Sequence, residues 1–395
     1  MSYPDPTTLE NSQQRRPPSS LRVLLVVHEL FPGAPSVPLD AFEWIKSDIT
    51  LHTLALRGGF LEERYRRLGR VDILPAWERP LHRRLRRKWF LWWLRRTIAQ
   101  FRPDLLYLNS ILTLQPAKEL RLPNVPVLLH IHELESYIEP ALAESGTLLC
   151  EWPDRYVVVS GRVRALLVED LGISDEKVAC VYAFIPDELM SLSDGQNGAS
   201  SGTRRNAFVV GGAGSPSWRK GITLWLQMAV ALKRLVPRMS VEFRWVGMLD
   251  NSEGRAAKLE ARKLGVEEIV KFIPHTERPL DHYQEFDLFA MTSWEDPCPL
   301  VVLENMALGK PVVCFAGGGG AAEEVGNSGV IVPEFSPAMM ATAVAELAQD
   351  ATRREALGQE ARSRVKRMFV ASVQAPRLLE ELRRTASTKD TGRRT

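Results

Sequence analysis

Apolar runs of four to seven residues recur along this chain, separated by longer stretches whose apolar positions follow a helical period. Leu21–Val27, Thr50–Leu56, Val71–Leu74, Leu105–Leu108, Val127–Ile131 and Tyr156–Val159 are runs of this kind. Near-continuous apolar character is what a strand needs when helices cover both faces of its sheet. Intervening segments such as Leu39–Ile45 supply those helices. The alternation predicts right-handed strand–helix–strand units and an α/β fold.

The pattern lapses over residues 187–206, where Ser, Gly, Asp and Asn dominate, and resumes at Ala207–Gly211. Val241–Gly247, Ile269–Ile273, Leu288–Met291 and Pro311–Phe315 follow. We therefore expect a first unit over 21–186, a linker over 187–206 and a second unit over 207–370. Residues 1–20, rich in Pro, Ser and Gln, are expected to be disordered. A last helix over 371–384 should cross back onto the first unit, leaving 385–395 as a loose charged tail. No internal repeat is visible, although the two halves repeat one architecture.

Candidate chemistry gathers at predicted strand ends, where open α/β sheets bind ligands. Leu288–Met291 runs into a loop with two prolines, then a helix over Leu300–Leu308 that Pro299 can open and Gly309 close. The next strand ends in Gly317–Gly320. Asp296 in the loop and Glu304 on the helix have seven residues between them. Oriented carboxylates accept hydrogen bonds from vicinal hydroxyls, so a sugar or ribose is a fitting ligand. Taken alone, they equally suit a proline turn and a solvated helix face. Gly214 opens the loop after the second unit's first strand, and Arg219-Lys220-Gly221 precedes a helix whose free N–H groups suit an anion. Lysine adds a mobile point charge suited to a diphosphate. His130 and His132 leave a strand on one side. Without a convincing third ligand they make a poor metal site.

Together these stretches resemble the retaining glycosyltransferases of the group 1, or family 4, type. That family's motif is Glu, seven residues, Glu, usually followed by Ala-Met-Ala-x-Gly-x-Pro-Val-Val. Here Asn-Met-Ala-Leu-Gly-Lys-Pro-Val-Val follows Glu304, and Asp296, one methylene shorter, stands for the first glutamate with Glu295 before it. The resemblance implies the GT-B architecture, two doubly wound Rossmann-like domains facing a central cleft. It implies transfer of a sugar from a nucleotide diphosphate with retention of configuration. His132, Asp296 and Lys220 would then be the catalytic set, with Glu133 and Glu135 as alternatives to the histidine. Donor-binding positions would be Gly33, Gly214, Arg219, Lys220, Asp296, Pro299, Leu300, Val301, Glu304, Gly319, Gly320 and Glu323 (or Glu324). Glu304 would hold the ribose; the family's upstream arginine has no counterpart here, with Arg219 the candidate to replace it or not. Tyr156–Ser160 and a helix over Arg162–Leu171 resemble the family's Val-x-x-Ser unit, and Pro274–Arg278 would lie near the base. No Asp-x-Asp metal site is evident, which fits protein cations in place of Mg²⁺. No cofactor beyond the donor substrate is expected.

Composition changes this picture little. The 395 residues carry 51 basic and 48 acidic side chains, a net charge of +3, so overall charge gives no case for nucleic acid. Four cysteines without metal spacing read as small buried hydrophobes in a reducing compartment. No apolar run spans a bilayer and the polar start is no signal peptide, so we expect a cytoplasmic protein. Residues 79–96 hold eight Lys or Arg and no acid, with Trp89, Trp92 and Trp93 among them. On a helix, Leu81, Leu85 and Trp92 would face the sheet, while Phe90 and Leu94 would point outward among arginines. Such a face suits an anionic membrane at its inner leaflet, or a glycan or lipid-linked acceptor. Rival readings are a non-catalytic nucleotide-sugar-binding partner of the same fold, and a phosphorylase or epimerase on that scaffold.

Overall fold

A computed structural model describes residues 20–74, 83–120, 124–192 and 207–388. Two parallel sheets organise them. The first runs β3-β2-β1-β4-β5-β6-β7. Its strands are β1 Leu21–Val27, β2 Ile49–Ala55, β3 Gly69–Ile73, β4 Leu105–Asn109, β5 Val127–Ile131, β6 Arg155–Val158 and β7 Val178–Cys180. The second runs β10-β9-β8-β11-β12-β13. Its strands are β8 Phe208–Ala213, β9 Val241–Met248, β10 Val270–Pro274, β11 Leu288–Met291, β12 Val312–Phe315 and β13 Val330–Val332. These are the two doubly wound Rossmann-like domains of the GT-B architecture.

Central strands are buried as their composition requires: Val23–Val27 and Val312–Cys314 are wholly inaccessible. In each sheet the winding reverses beside the first strand. β1 pairs with both β2 and β4, and β8 with both β9 and β11. Loops leaving β1 and β4, and those leaving β8 and β11, therefore splay apart and open a crevice above each sheet. The two crevices face one another.

The chain passes between domains near a single parallel bridge, Ile185 to Val370. Glu188–Leu192 forms a short helix whose Met190 packs in the second domain's core, and residues 193–206 of the expected linker lie outside the described residues. The last helix, Ala371–Ala386, lies on the first domain. Ala375, Leu378 and Leu382 fill that core, Glu381 pairs with Arg155 of β6 at 2.7 Å, and Arg383 reaches Asp48 at 2.6 Å.

Two expectations are corrected. The basic helix spans Arg83–Phe101, and its inward stripe is Leu94 and Ile98, both 1% exposed, with Phe101 against His52. Trp92 therefore faces outward and Leu94 inward, the reverse of the sequence reading. The phase is set by the carboxyl half of the helix, where Leu94, Ile98 and Phe101 follow an i, i+4, i+7 pattern. Arg96 lies over Trp92 and Arg70 over Trp93. Residues 79–82, Leu81 among them, lie outside the described residues, as do the side chains of Leu85 and Phe90. Among the cysteines, Cys298 and Cys314 are buried, but Cys150 is exposed on a short surface helix.

Candidate active site

Between the facing sheet ends lies a cleft of about 630 Å³ lined from both domains. On the second-domain side the loop after β8 turns at Gly214, whose φ of 130° strains any other residue. A Cβ there would also stand 3.2 Å from the Lys220 stem. Trp218–Lys220 makes one tight turn, and Gly221 caps the helix Ile222–Leu235, whose first-turn N–H groups have no intrahelical partner. The Arg219 carbonyl accepts from the Trp294 N–H at 2.9 Å, and its guanidinium Nη1 donates to the Glu295 carbonyl at 2.7 Å. The loops after β8 and β11 are thereby stitched together.

Lys220 Nζ donates to Asp296 Oδ2, with the two side chains 16% and 8% exposed. A charge this far from water is tolerated because its partner is adjacent. Asp296 is itself fixed on both sides. Its N–H donates to the Gly318 carbonyl at 2.9 Å, and its carbonyl accepts from the Gly320 N–H at 2.9 Å. Gly319 between them has φ 106°, and a Cβ there would lie 2.1 Å from the Asp296 carbonyl oxygen. The glycine run thus clamps the acidic loop in register.

The first-domain wall is built differently. His130, next to last in β5, lies inside the sheet, hydrogen-bonded through Nδ1 to the Tyr107 hydroxyl, and burial pushes its pKa down to about 3. The His132 ring lies 4.0 Å from it. Asn109 Nδ2 donates to the Ala34 carbonyl at 3.2 Å, so its Oδ1 is the acceptor for His132 Nε2 at 2.8 Å. Nε2 therefore carries the proton and Nδ1 a lone pair. Burial, with His130 and His28 nearby, holds the His132 pKa well below the ordinary 6.5, so the ring is neutral. Glu133 folds behind it, Oε2 accepting from the N–H groups of His132 at 2.9 Å and Ile111 at 3.3 Å. Burial raises its pKa despite those donors and Arg219. His28, whose buried Nδ1 finds no partner among the described residues, is also pushed down by burial.

Of the positions anticipated from sequence, His132, Arg219, Lys220, Asp296, Gly33, Pro299, Leu300 and Val301 line the cleft together. Gly214 backs Lys220, and Gly319 and Gly320 brace Asp296. Glu304 is likewise outside the cleft lining: it sits on the helix Leu300–Ala307, half-buried, without a hydrogen-bond partner among the described residues, and burial raises its pKa to about 7. Glu323 is not in the cleft lining: its Oε2 accepts from Gly161 N–H at 2.7 Å and its Oε1 from the Tyr182 hydroxyl, both across the domain seam. Glu295 makes a second seam contact, accepting from Ser136 N–H at 3.1 Å.

Cys298 donates to Glu324 at 3.0 Å. Burial drives the pKa values of both far upward, so the thiol is no nucleophile in this setting. Among the described residues no group of three His, Cys, Asp or Glu is placed to hold a metal ion. His28 and Asn109 were missed in the sequence reading. Their signal was position: each stands at the carboxyl end of one of the two strands flanking the switch point.

Residues 204–350 match the family described as glycosyl transferases group 1, and residues 41–189 match glycosyltransferase family 4. A D-inositol 3-phosphate glycosyltransferase of Corynebacterium kroppenstedtii is 30% identical over 197 residues, 47% of this chain and 44% of that protein. Its namesake from Kineococcus radiotolerans is 27% identical over 61% of this chain and 62% of that protein. The matched region thus spans less than two thirds of these relatives' lengths. Among solved structures, HepE from Anabaena in complex with UDP and glucose superposes with a TM-score of 0.76 at 20% identity, covering 92% of this chain and all of that one. Sucrose-phosphate synthase from Thermosynechococcus elongatus gives 0.73 at 19% identity, covering 92% and 98%. At such identities the superpositions establish the fold.

Proposed function

This chain belongs to the group 1, family 4 glycosyltransferases, and from that premise we propose that it moves a sugar, with retention, from a nucleotide-diphosphate sugar to a hydroxyl of a glycan or lipid-linked acceptor. The observation that carries this reading is the buried Lys220–Asp296 pair beside Arg219 and a helix N-terminus, across the cleft from a neutral imidazole. In the transfer, the bond from the anomeric carbon to the diphosphate breaks and one to the acceptor oxygen forms. The acceptor's proton leaves with the departing phosphate oxygen. Negative charge grows on the diphosphate, and the Lys220 and Arg219 cations with the first-turn N–H groups after Gly221 are oriented in advance to receive it.

Asp296, held by the glycine run, orients hydroxyls of the transferred sugar. Glu304, lacking a partner of its own among the described residues, accepts from the ribose. His132 stands near the anomeric carbon, where a neutral ring avoids repelling the positive charge of an oxocarbenium-like transition state. HepE is described with UDP and glucose, which supports a uridine donor. No helix among the described residues is long and apolar enough to cross a membrane. Exposed Trp92 and Trp93 beside Arg96 and Arg70 support docking of the first domain on an anionic inner-leaflet surface.

Calorimetric titration with UDP-, GDP- and ADP-sugars tests the proposal, followed by slow hydrolysis of whichever donor binds. One donor class should bind with Kd below about 1 mM and release free nucleotide. Binding without any turnover would favour the non-catalytic partner reading, and no binding in the whole panel would sink the donor site.

A further inference from the structure

Beside the main cleft lies a smaller groove of about 200 Å³. Its second-domain wall is aromatic. The Trp218 and Trp294 rings are parallel within 6°, with centroids 6.4 Å apart, and Trp294 stacks on Phe335 at 4.6 Å. Trp218, the outer end of this column, is 66% exposed. A large indole left in water at a groove mouth, held by a second indole beneath, is an unusual use of apolar area. The opposite wall comes from the first domain and is the Glu135–Arg162 ion pair. Leu134 and Glu295 line both the groove and the cleft, so the two spaces adjoin.

We propose that this groove receives a neutral pyranose ring of the acceptor. A pyranose presents a C–H face that packs on an aromatic ring and a rim of hydroxyls that donate and accept. The column matches the face, and Glu135 and Arg162 match the rim. An acyl chain would waste the ion pair, and an anion would meet an arginine already paired. The groove's loops follow β8, β11, β12 and β13, toward the opposite edge of the sheet from β10, whose loop Pro274–Arg278 is expected from sequence to lie near the nucleotide base. The volume suits one ring. The inference rests on the glycosyl-transfer reading, and it narrows the acceptor to a glycoside whose sugar sits at the seam.

Saturation-transfer NMR on the full chain with methyl α-D-glucopyranoside, mannopyranoside and galactopyranoside tests it, with UDP, GDP and ADP titrated separately by calorimetry. At least one pyranoside should receive saturation at the protons of one ring face. Trp218→Ala should weaken that binding about tenfold, and Trp218→Phe should keep most of it with an unchanged unfolding midpoint. An undiminished signal in Trp218→Ala, or saturation of hexanoate or inositol 3-phosphate alone, overturns the proposal. UDP binding with no pyranoside signal overturns the groove alone. A pyranoside signal lost in Trp218→Ala, in a protein that binds none of UDP, GDP and ADP, upholds the groove and overturns the donor reading.

Discussion

The two walls of the cleft handle charge in opposite ways. The second domain gathers Arg219, Lys220 and Asp296 on loops after β8 and β11, partners them and fastens them through the glycines after β12. The first domain brings His28, Asn109 and His132 from the ends of β1, β4 and β5 and strips both imidazoles of charge by burial. On the proposed reading, full charges would face the end of the donor where charge develops on a leaving group, and fixed neutral dipoles the end where positive character develops on a sugar. Polarity was placed by choosing which side chains to bury beside an opposite charge, as Lys220 is, and which against a neutral partner, as His132 is.

That contrast can be broken most sharply at Lys220. Lys220→Ala should lower kcat/KM by about 10³-fold and weaken diphosphate binding. Measured kinetics equal to the parent would remove this residue from the site. On the neutral wall, His132→Ala should lower kcat/KM by about 10²-fold, through loss of a positioned dipole. Because burial holds the His132 pKa well below its ordinary 6.5, the parent's kcat/KM profile should show no protonation limb from this imidazole around neutral pH. A limb that vanished in His132→Ala would show the ring to be charged after all.

Glu304 offers a test of intermediate size. Its folded pKa of about 7 lies above the ordinary 4.5, so between those values the native chain holds a proton that the unfolded chain has released. Stability therefore falls as pH rises through that window and stays reduced above it. Glu304→Gln should flatten this slope and add about 2 kcal/mol at pH 8 in the absence of nucleotide, while weakening nucleotide binding. Denaturant titrations at pH 4.5 and 8 give the answer, and an unchanged slope would refute the assigned cause. The smallest effect is expected at the seam. Glu323→Gln, which loses charge-assisted bonds from Gly161 and Tyr182, should cost about 1 kcal/mol and leave the pH profile untouched. A large loss of donor affinity there would return Glu323 to the donor site.

Much of this fold was legible because parallel strands buried on both faces leave long apolar runs, and β1, β5 and β11 lie where those runs do. Edge strands β7 and β13 are three residues long and carry little such signal. The second-domain wall could be read from residues 214–323 because its parts lie close along the chain and its glycines have steric reasons to be glycine. Asn109 offered only its position at a strand end, since its role depends on His132 and Ala34, which reach it from the loops after β5 and β1. Helix phase misled at Trp92 because the charged half of the helix hides the stripe made by Leu94, Ile98 and Phe101. Glu323 looked like a ligand-binding group next to four glycines, yet its carboxylate is taken up by the Gly161 N–H and the Tyr182 hydroxyl across the seam.

The final helix, Ala371–Ala386, completes the core of the domain that begins at β1. During synthesis that domain emerges from the ribosome well before the residues that cover one flank and neutralise Arg155 are made. Until they emerge, its unfinished flank stays open to water and to chaperones. A fragment ending near residue 186 should therefore aggregate, and adding the 371–386 peptide in trans should rescue it.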